Sequence, residues 1–428
     1  MHKLDKLAYL IHLPKPSRRA RVLTELPVFR MINIDQPARH TGVAILNLGF
    51  RPFFTGAAVF AVLSMLAWMG MYGFGVSWPQ AALPAMLWHA HEMIFGYGMA
   101  VIAGFLLTAV KNWTGVQTLY GIPLLLLALL WLAARLLLLA GGAGVLAWAA
   151  LADGLFNLLL VAALAWPIFK VRQFKQFGIL SKVILLMLAN LLFYAGVLEI
   201  YPWGVQAGLY SGVYLIMALI FVMSRRVLPF FIERGVGQPV TLVNRAWLDG
   251  ASLFLFLAFW IADIIKPDSL LVAWLAGALC VLHVLRLAGW YAAGIWGKPL
   301  LWVLYVAYAA VAIGFALKVA VYVFGISPSM PLHAFTYGGI GLFTLGMMAR
   351  VTLGHTGRNI LEPPAATGWI FGVLLIGSVV RVVLPLFDAA HYVLWMGISQ
   401  VFWILAFTLF AWVFLPMLLQ PRTDGQFG

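Results

Sequence analysis

Within Trp88-His89-Ala90-His91-Glu92, two imidazoles and a carboxylate fall inside four consecutive residues, at the start of an apolar run that reaches Val110. Ionisable side chains are costly inside such a segment, so they are expected to face protein and to mark a site. Imidazole is the commonest side-chain ligand of zinc, copper and iron. On an α-helix His89 and Glu92, three apart, share a face, whereas His91 points about 160° away from His89. One metal ion would therefore take His89 or His91, leaving the other as a neighbour or a second site. The face of Glu92 continues through Gly96, Ala100 and Gly104, a stripe of small residues that lets another helix come close. Glu92 itself fits either a proton relay or a carboxylate that orients an imidazole.

A second arrangement of the same kind runs from Pro331 and His333 through Tyr337, Gly338, Gly339 and Gly341. Both histidine stretches end alike. Thr114-Gly115 follows His91 at the same distances as Thr356-Gly357 follows His333, which predicts two parallel helices with their histidines at similar depth. Farther from the ends, His283 and Arg286 are three apart and share a helix face. That pair could hold a metal-bearing macrocycle and its acid group, or could equally be satisfied in helix packing. His355 lies at the opposite end from the other histidines. There it could join Arg358, Arg225 and Arg226 around an anion, although a solvated basic loop accounts for these residues slightly better.

The elements that must position these groups follow from composition. Of 428 residues 64% are hydrophobic and 9% charged, against about 25% charged in a soluble domain, so the chain is expected to be an all-α polytopic membrane protein. The formal charge of +14 lies largely in an N-terminal arm and in alternate loops, which indicates membrane topology rather than nucleic-acid binding. One cysteine, Cys280, excludes internal disulfides and cysteine zinc ribbons. Twelve spans of roughly 20 residues are predicted, at approximately 53–74, 86–110, 121–140, 145–169, 179–199, 205–223, 247–265, 269–293, 300–324, 331–353, 368–386 and 391–418. Inner loops then carry Lys111, Lys170, Arg172, Lys175, Arg225, Arg226, Arg234, Arg245, Lys298 and Arg358, while outer loops hold little beyond Lys266. Both termini are expected in the cytoplasm. The expected division is a basic extension over 1–46, a membrane domain over 47–420 and a tail over 421–428. No apolar leader with a small-residue cleavage site opens the sequence, so cleavage is not expected.

The ordered blocks Gly49-Phe-Arg-Pro-Phe-Phe54, Trp88-His-Ala-His-Glu-Met93 and Gly104-Phe-Leu-Leu-Thr-Ala-Val-Lys-Asn-Trp-Thr-Gly115 resemble the NnrS family of membrane proteins. So do Arg225-Arg-Val-Leu-Pro-Phe-Phe231, His333-Ala-Phe-Thr336 and Arg350-Val-Thr-Leu-Gly-His-Thr-Gly-Arg358. The basic extension departs from the family, whose members more often begin near the first block. The resemblance implies haem b and copper, a bacterial cytoplasmic (inner) membrane, and a role in binding, sensing or converting nitric oxide in denitrification or nitrosative stress. It extends to a redox protein of nitric oxide reductase type with a membrane or periplasmic electron donor. On that reading His333 is an axial haem ligand partnered by His89 or His91. The leftover span-two histidine, Glu92 and His283 remain for copper, with Arg286 beside His283 for a propionate. Two other classes stay open. A proton-coupled transporter would use Glu92, Asp153, Asp263 and Lys318, and a metal-storing or assembly protein would bind the same groups without turnover.

Overall fold

Residues 43–76, 83–142 and 144–428 are described by a computed structural model. The N-terminal extension, apart from its last few residues, lies outside these. Among the described residues every regular element is helical. The helices are α1 (Phe50–Gly73), α2 (Ala85–Thr114), α3 (Gly121–Ala140), α4 (Val145–Lys170), α5 (Phe174–Val197), α6 (Gly204–Gly235), α7 (Ala246–Ile265), α8 (Leu270–Gly289) and α9 (Pro299–Phe324). They continue with α10 (329–355), α11 (Ala366–Phe387) and α12 (Ala389–Leu419). All but α10 are long and apolar enough to cross a bilayer, which makes eleven candidate spans among the described residues where twelve were expected. The continuous helix α10 does cover the tenth expected span. Its apolar character is diluted by His333, Thr336, Tyr337, Thr344, Arg350 and five glycines, and it is buried along most of its length.

Helices of this composition are apolar on every side, and only lipid or other helices can satisfy such a surface. Phe254, Trp274 and Trp412 are 72%, 71% and 82% exposed, a surface suited to hydrocarbon and a liability in water. Over its most apolar stretch α2 is 78% buried, whereas α4 and α7 are 28% buried. The helix carrying the histidine cluster is therefore central, and α4 and α7 face lipid.

Helices α2 and α10 run parallel. Their first turns face one cavity through His89 and His333, and their last turns meet where Asn112 Nδ2 lies 3.5 Å from His355 Nε2. Each ends in the expected Thr-Gly pair. Thr114 and Thr356 donate to carbonyls four residues back, both at 2.7 Å. Gly115 and Gly357 then turn the chain with φ of 70° and 77°, a left-handed conformation that glycine adopts without steric cost. The small-residue stripe of α2 packs closely, as expected. A Cβ on Gly104 would meet the Phe54 ring at 2.9 Å, so α1 approaches α2 at contact distance.

The ends of some helices depart from the hydropathy reading. The sixth was expected to stop near residue 223, but α6 continues to Gly235 because Ser224-Arg225-Arg226 ends the apolar run without ending the helix. Such polar residues mark where a helix leaves hydrocarbon, not where its backbone hydrogen bonds stop.

Candidate functional site

A cavity of about 410 Å³ opens between the first turns of α2 and α10 and is closed by α1, α6, α11 and α12. Both helices change winding there. Residues Glu92–Gly98 and Ala334–Gly341 are π-helical, beginning one residue after His91 and His333 respectively. Closing i→i+5 bonds puts more residues in each turn and rotates the rest of the helix relative to its start, a device common at functional sites. His89 and His333 both face the cavity. His89 stacks on Trp68 with ring centroids 4.5 Å apart and planes 5° from parallel, and its buried Nδ1 has no partner. His333 Nδ1 lies 2.8 Å from the Ser329 carbonyl. A carbonyl only accepts, so Nδ1 carries the proton and the lone pair sits on Nε2. A ligating imidazole is commonly fixed in this way.

Residues without a role in the sequence reading complete the cavity. Arg381 of α11 lies 5% exposed, with Nη2 donating to Tyr392 Oη at 2.9 Å and Ser329 Oγ at 3.1 Å, and 3.3 Å from His333 Nε2. Its Nη1 is buried without a partner, as are both amide atoms of Gln400. Met65, Met93, Met396, Tyr97 and Trp403 supply apolar wall. The available signal was thin: Arg381 stood among many charges inside spans, and Gln400 was a lone amide in an apolar run.

His91 faces away from the cavity. Its Nδ1 lies 3.0 Å from Glu92 Oε1 and its Nε2 2.9 Å from Asn190 Oδ1, all fully or nearly fully buried. Arg135 of α3 joins Glu92 at 3.3 Å and Asp153 of α4 at 2.5 Å, and Tyr194 donates to Asp153 at 3.0 Å. Glu92 was expected on the face of His89. Instead its carboxylate turns to the adjacent His91 and to Arg135 of α3. Gly96 leaves room for this cluster, since a Cβ there would lie 2.7 Å from Arg135 Nη1 and 2.9 Å from Glu92 Oε2. With carboxylates on either side of one guanidinium, the cluster is a buried ion network, in which Glu92 Oε2 and Asp153 Oδ1 have no hydrogen-bond partner.

His283 and Arg286 do share a face, but not with the histidines of α2 and α10. The His283 ring is stacked between Phe221 and Phe315, its Nδ1 is 2.7 Å from Tyr308 Oη, and its Nε2 has no partner. Arg286 donates to Tyr308 at 2.9 Å and to Asp249 at 2.9 Å, so its charge is already matched by a carboxylate. Asp263 and Lys318 are also paired, at 2.6 Å, with Tyr214 donating to the same carboxylate. Among the described residues no three His, Cys, Asp or Glu side chains are grouped to hold a metal ion. His355 lies beside Phe50 and Arg422, while Arg225 pairs with Asp249 and Arg226 with Gln176. The alternative grouping of His355 with Arg225 and Arg226 around an anion is not formed; these residues make separate local pairs.

These features define a helical membrane protein with two histidines from parallel central helices facing one enclosed cavity. Residues 44–422 match the family described as NnrS protein, and the chain belongs to the NnrS family. No individual curated protein matches it.

Proposed function

We propose that this protein binds haem b between His89 and His333 in a bacterial inner membrane and uses it to bind, sense or convert nitric oxide. One observation carries the reading: His89 and His333 face the same 410 Å³ cavity, with the second nitrogen of His333 held by the Ser329 carbonyl. His89, Arg381 and Gln400 all line the cavity, and His89 Nδ1, Arg381 Nη1 and the Gln400 amide are buried without partners, as polar atoms seldom are unless a ligand supplies one. The donors and apolar walls fit an amphipathic macrocycle with acid groups. In this arrangement His89 and, once Arg381 Nη2 gives up its hydrogen bond to it, His333 Nε2 would hold the iron, Trp68 stacks on the His89 ring, and methionines supply apolar wall. Haem supplies a one-electron couple and, when one imidazole is released, a position for a diatomic gas. The association with nitric oxide rests on the family resemblance. Copper has no comparable support. His283 is a single imidazole among aromatic rings, and both ring nitrogens of His91 already have partners in Glu92 and Asn190.

In this reading α10 crosses the membrane with the other eleven helices, and the lysine and arginine distribution sets both termini in the cytoplasm. A transporter would use the buried Asp263–Lys318 pair instead. Purified full-length protein should show a Soret band with haem near one per chain, and anaerobic nitric oxide should shift the reduced spectrum. A colourless protein that catalyses solute counterflow in metal-free liposomes would replace this reading with transport.

A further inference from the structure

Arg135, Arg286 and Lys318 are buried within their helices, and each has a carboxylate partner, at 2.5, 2.9 and 2.6 Å. Arg381 is equally buried, yet among the described residues its partners are only two hydroxyls and an imidazole. Those neutral groups all engage Nη2, which leaves Nη1 buried without a partner on a side chain that lines the cavity. An uncompensated guanidinium at such depth is strongly unfavourable unless an anion meets it. Gln400, 3% exposed on the adjoining helix α12, adds a second unpaired donor, Nε2, to the same cavity. An unpaired guanidinium nitrogen and an unpaired amide N–H on two side chains that line one cavity suit a carboxylate or a small oxyanion, and neither suits an apolar or cationic ligand.

We propose that Arg381, assisted by Gln400, forms the anion-binding site of the cavity and holds a carboxylate of the bound macrocycle. The identification of that carboxylate as a propionate rests on the haem reading above; the requirement for an anion does not. Arg381 is a positioning residue, and it also sits against the Nε2 that His333 would present to the iron. An anion on Nη1 would therefore be set beside the imidazole ligand, with the guanidinium between them.

The test compares haem b and haem b dimethyl ester, in which both propionates are blocked, by Soret titration of full-length apoprotein in detergent. Wild type should bind haem b about tenfold or more tightly than the ester, the loss expected for one charge-assisted hydrogen bond. Arg381→Met should bind both at the weaker level, and Arg381→Lys should recover part of the difference. A thermal melt of each apoprotein identifies a variant that fails to fold, and the ester comparison in wild type needs no variant at all. Equal affinity of wild type for haem b and its ester overturns the propionate assignment. If nitrite then binds wild type but not Arg381→Met, the site holds a free oxyanion. If nitrite binds neither, or binds both alike, the anion site itself is overturned. Failure of wild type to take up any haem sinks the haem reading separately, and the nitrite titration still decides the anion site.

Discussion

His89 and His91 differ in what surrounds them rather than in type. The first has an unpaired ring nitrogen and a stacking partner on a cavity, and the second has both nitrogens committed to Glu92 and Asn190. Replacement by alanine should separate them. His89→Ala and His333→Ala should each lose or shift the haem band, while His91→Ala should keep it. A variant set in which His91→Ala loses the band and His89→Ala retains it would reverse the assignment. Arg135 belongs to stability. Arg135→Met leaves Glu92 and Asp153 as buried charges without their shared partner and should cost about 3–5 kcal/mol, measured as a lower unfolding midpoint in denaturing detergent. If that variant unfolds like wild type, the network is not holding α2, α3 and α4 together.

At the scale of elements, the segment after α12 folds back on the end of α10. Thr423 N–H donates to the Thr356 carbonyl at 3.1 Å and Arg422 Nη1 to the His355 carbonyl at 3.2 Å. Asp424 shapes this segment by pairing with Arg422 Nε at 2.9 Å, and hydrogen bonding to that guanidinium holds its carboxyl below the usual aspartate range. A depressed carboxylate stabilises the docked form above its unfolded pKa near 4 and loses that effect as pH falls through the folded value. Hydrogen exchange at the Thr423 amide should therefore be slow at pH 7 and, once corrected for the intrinsic rate, lose protection well below pH 4. Protection that survives acid, or that Asp424→Asn leaves unchanged at neutral pH, would exclude this coupling. The Thr-Gly ends of α2 and α10 were legible in the sequence because a threonine hydroxyl and a left-handed glycine act locally. The pairing of His89 with His333 was legible only to a choice between two imidazoles. The π segments were not legible, since a winding change that begins at Glu92 leaves the apolar pattern intact. Arg381 and Gln400 were hidden for a related reason: their meaning lies in partners they lack across the fold, which no local spacing records.

For the whole molecule, the distribution of lysine and arginine predicts that reporters fused after Gly428 and within residues 75–83 fall on opposite sides of the membrane. An even number of crossings also requires a reporter ahead of Phe50 to share the side of the C-terminal one; a split between them would mean that α10 does not cross. The first and last helices bear on how such a chain is made. Arg51, fully buried at the start of α1, donates to the carbonyls of Leu418 and Gln420 at 2.6 and 2.7 Å, and Trp403 donates to Ala61 at 3.1 Å. The Leu418 partner of Arg51 is 367 residues away, so at 5–20 residues per second it emerges roughly 20 to 70 s later. Throughout that interval α1 carries an unmet guanidinium at the bilayer edge, waiting for the one helix that can close the ring. A chain that stops before α12 leaves Arg51 without these carbonyl acceptors, so the packing of the first helix is completed only by the last.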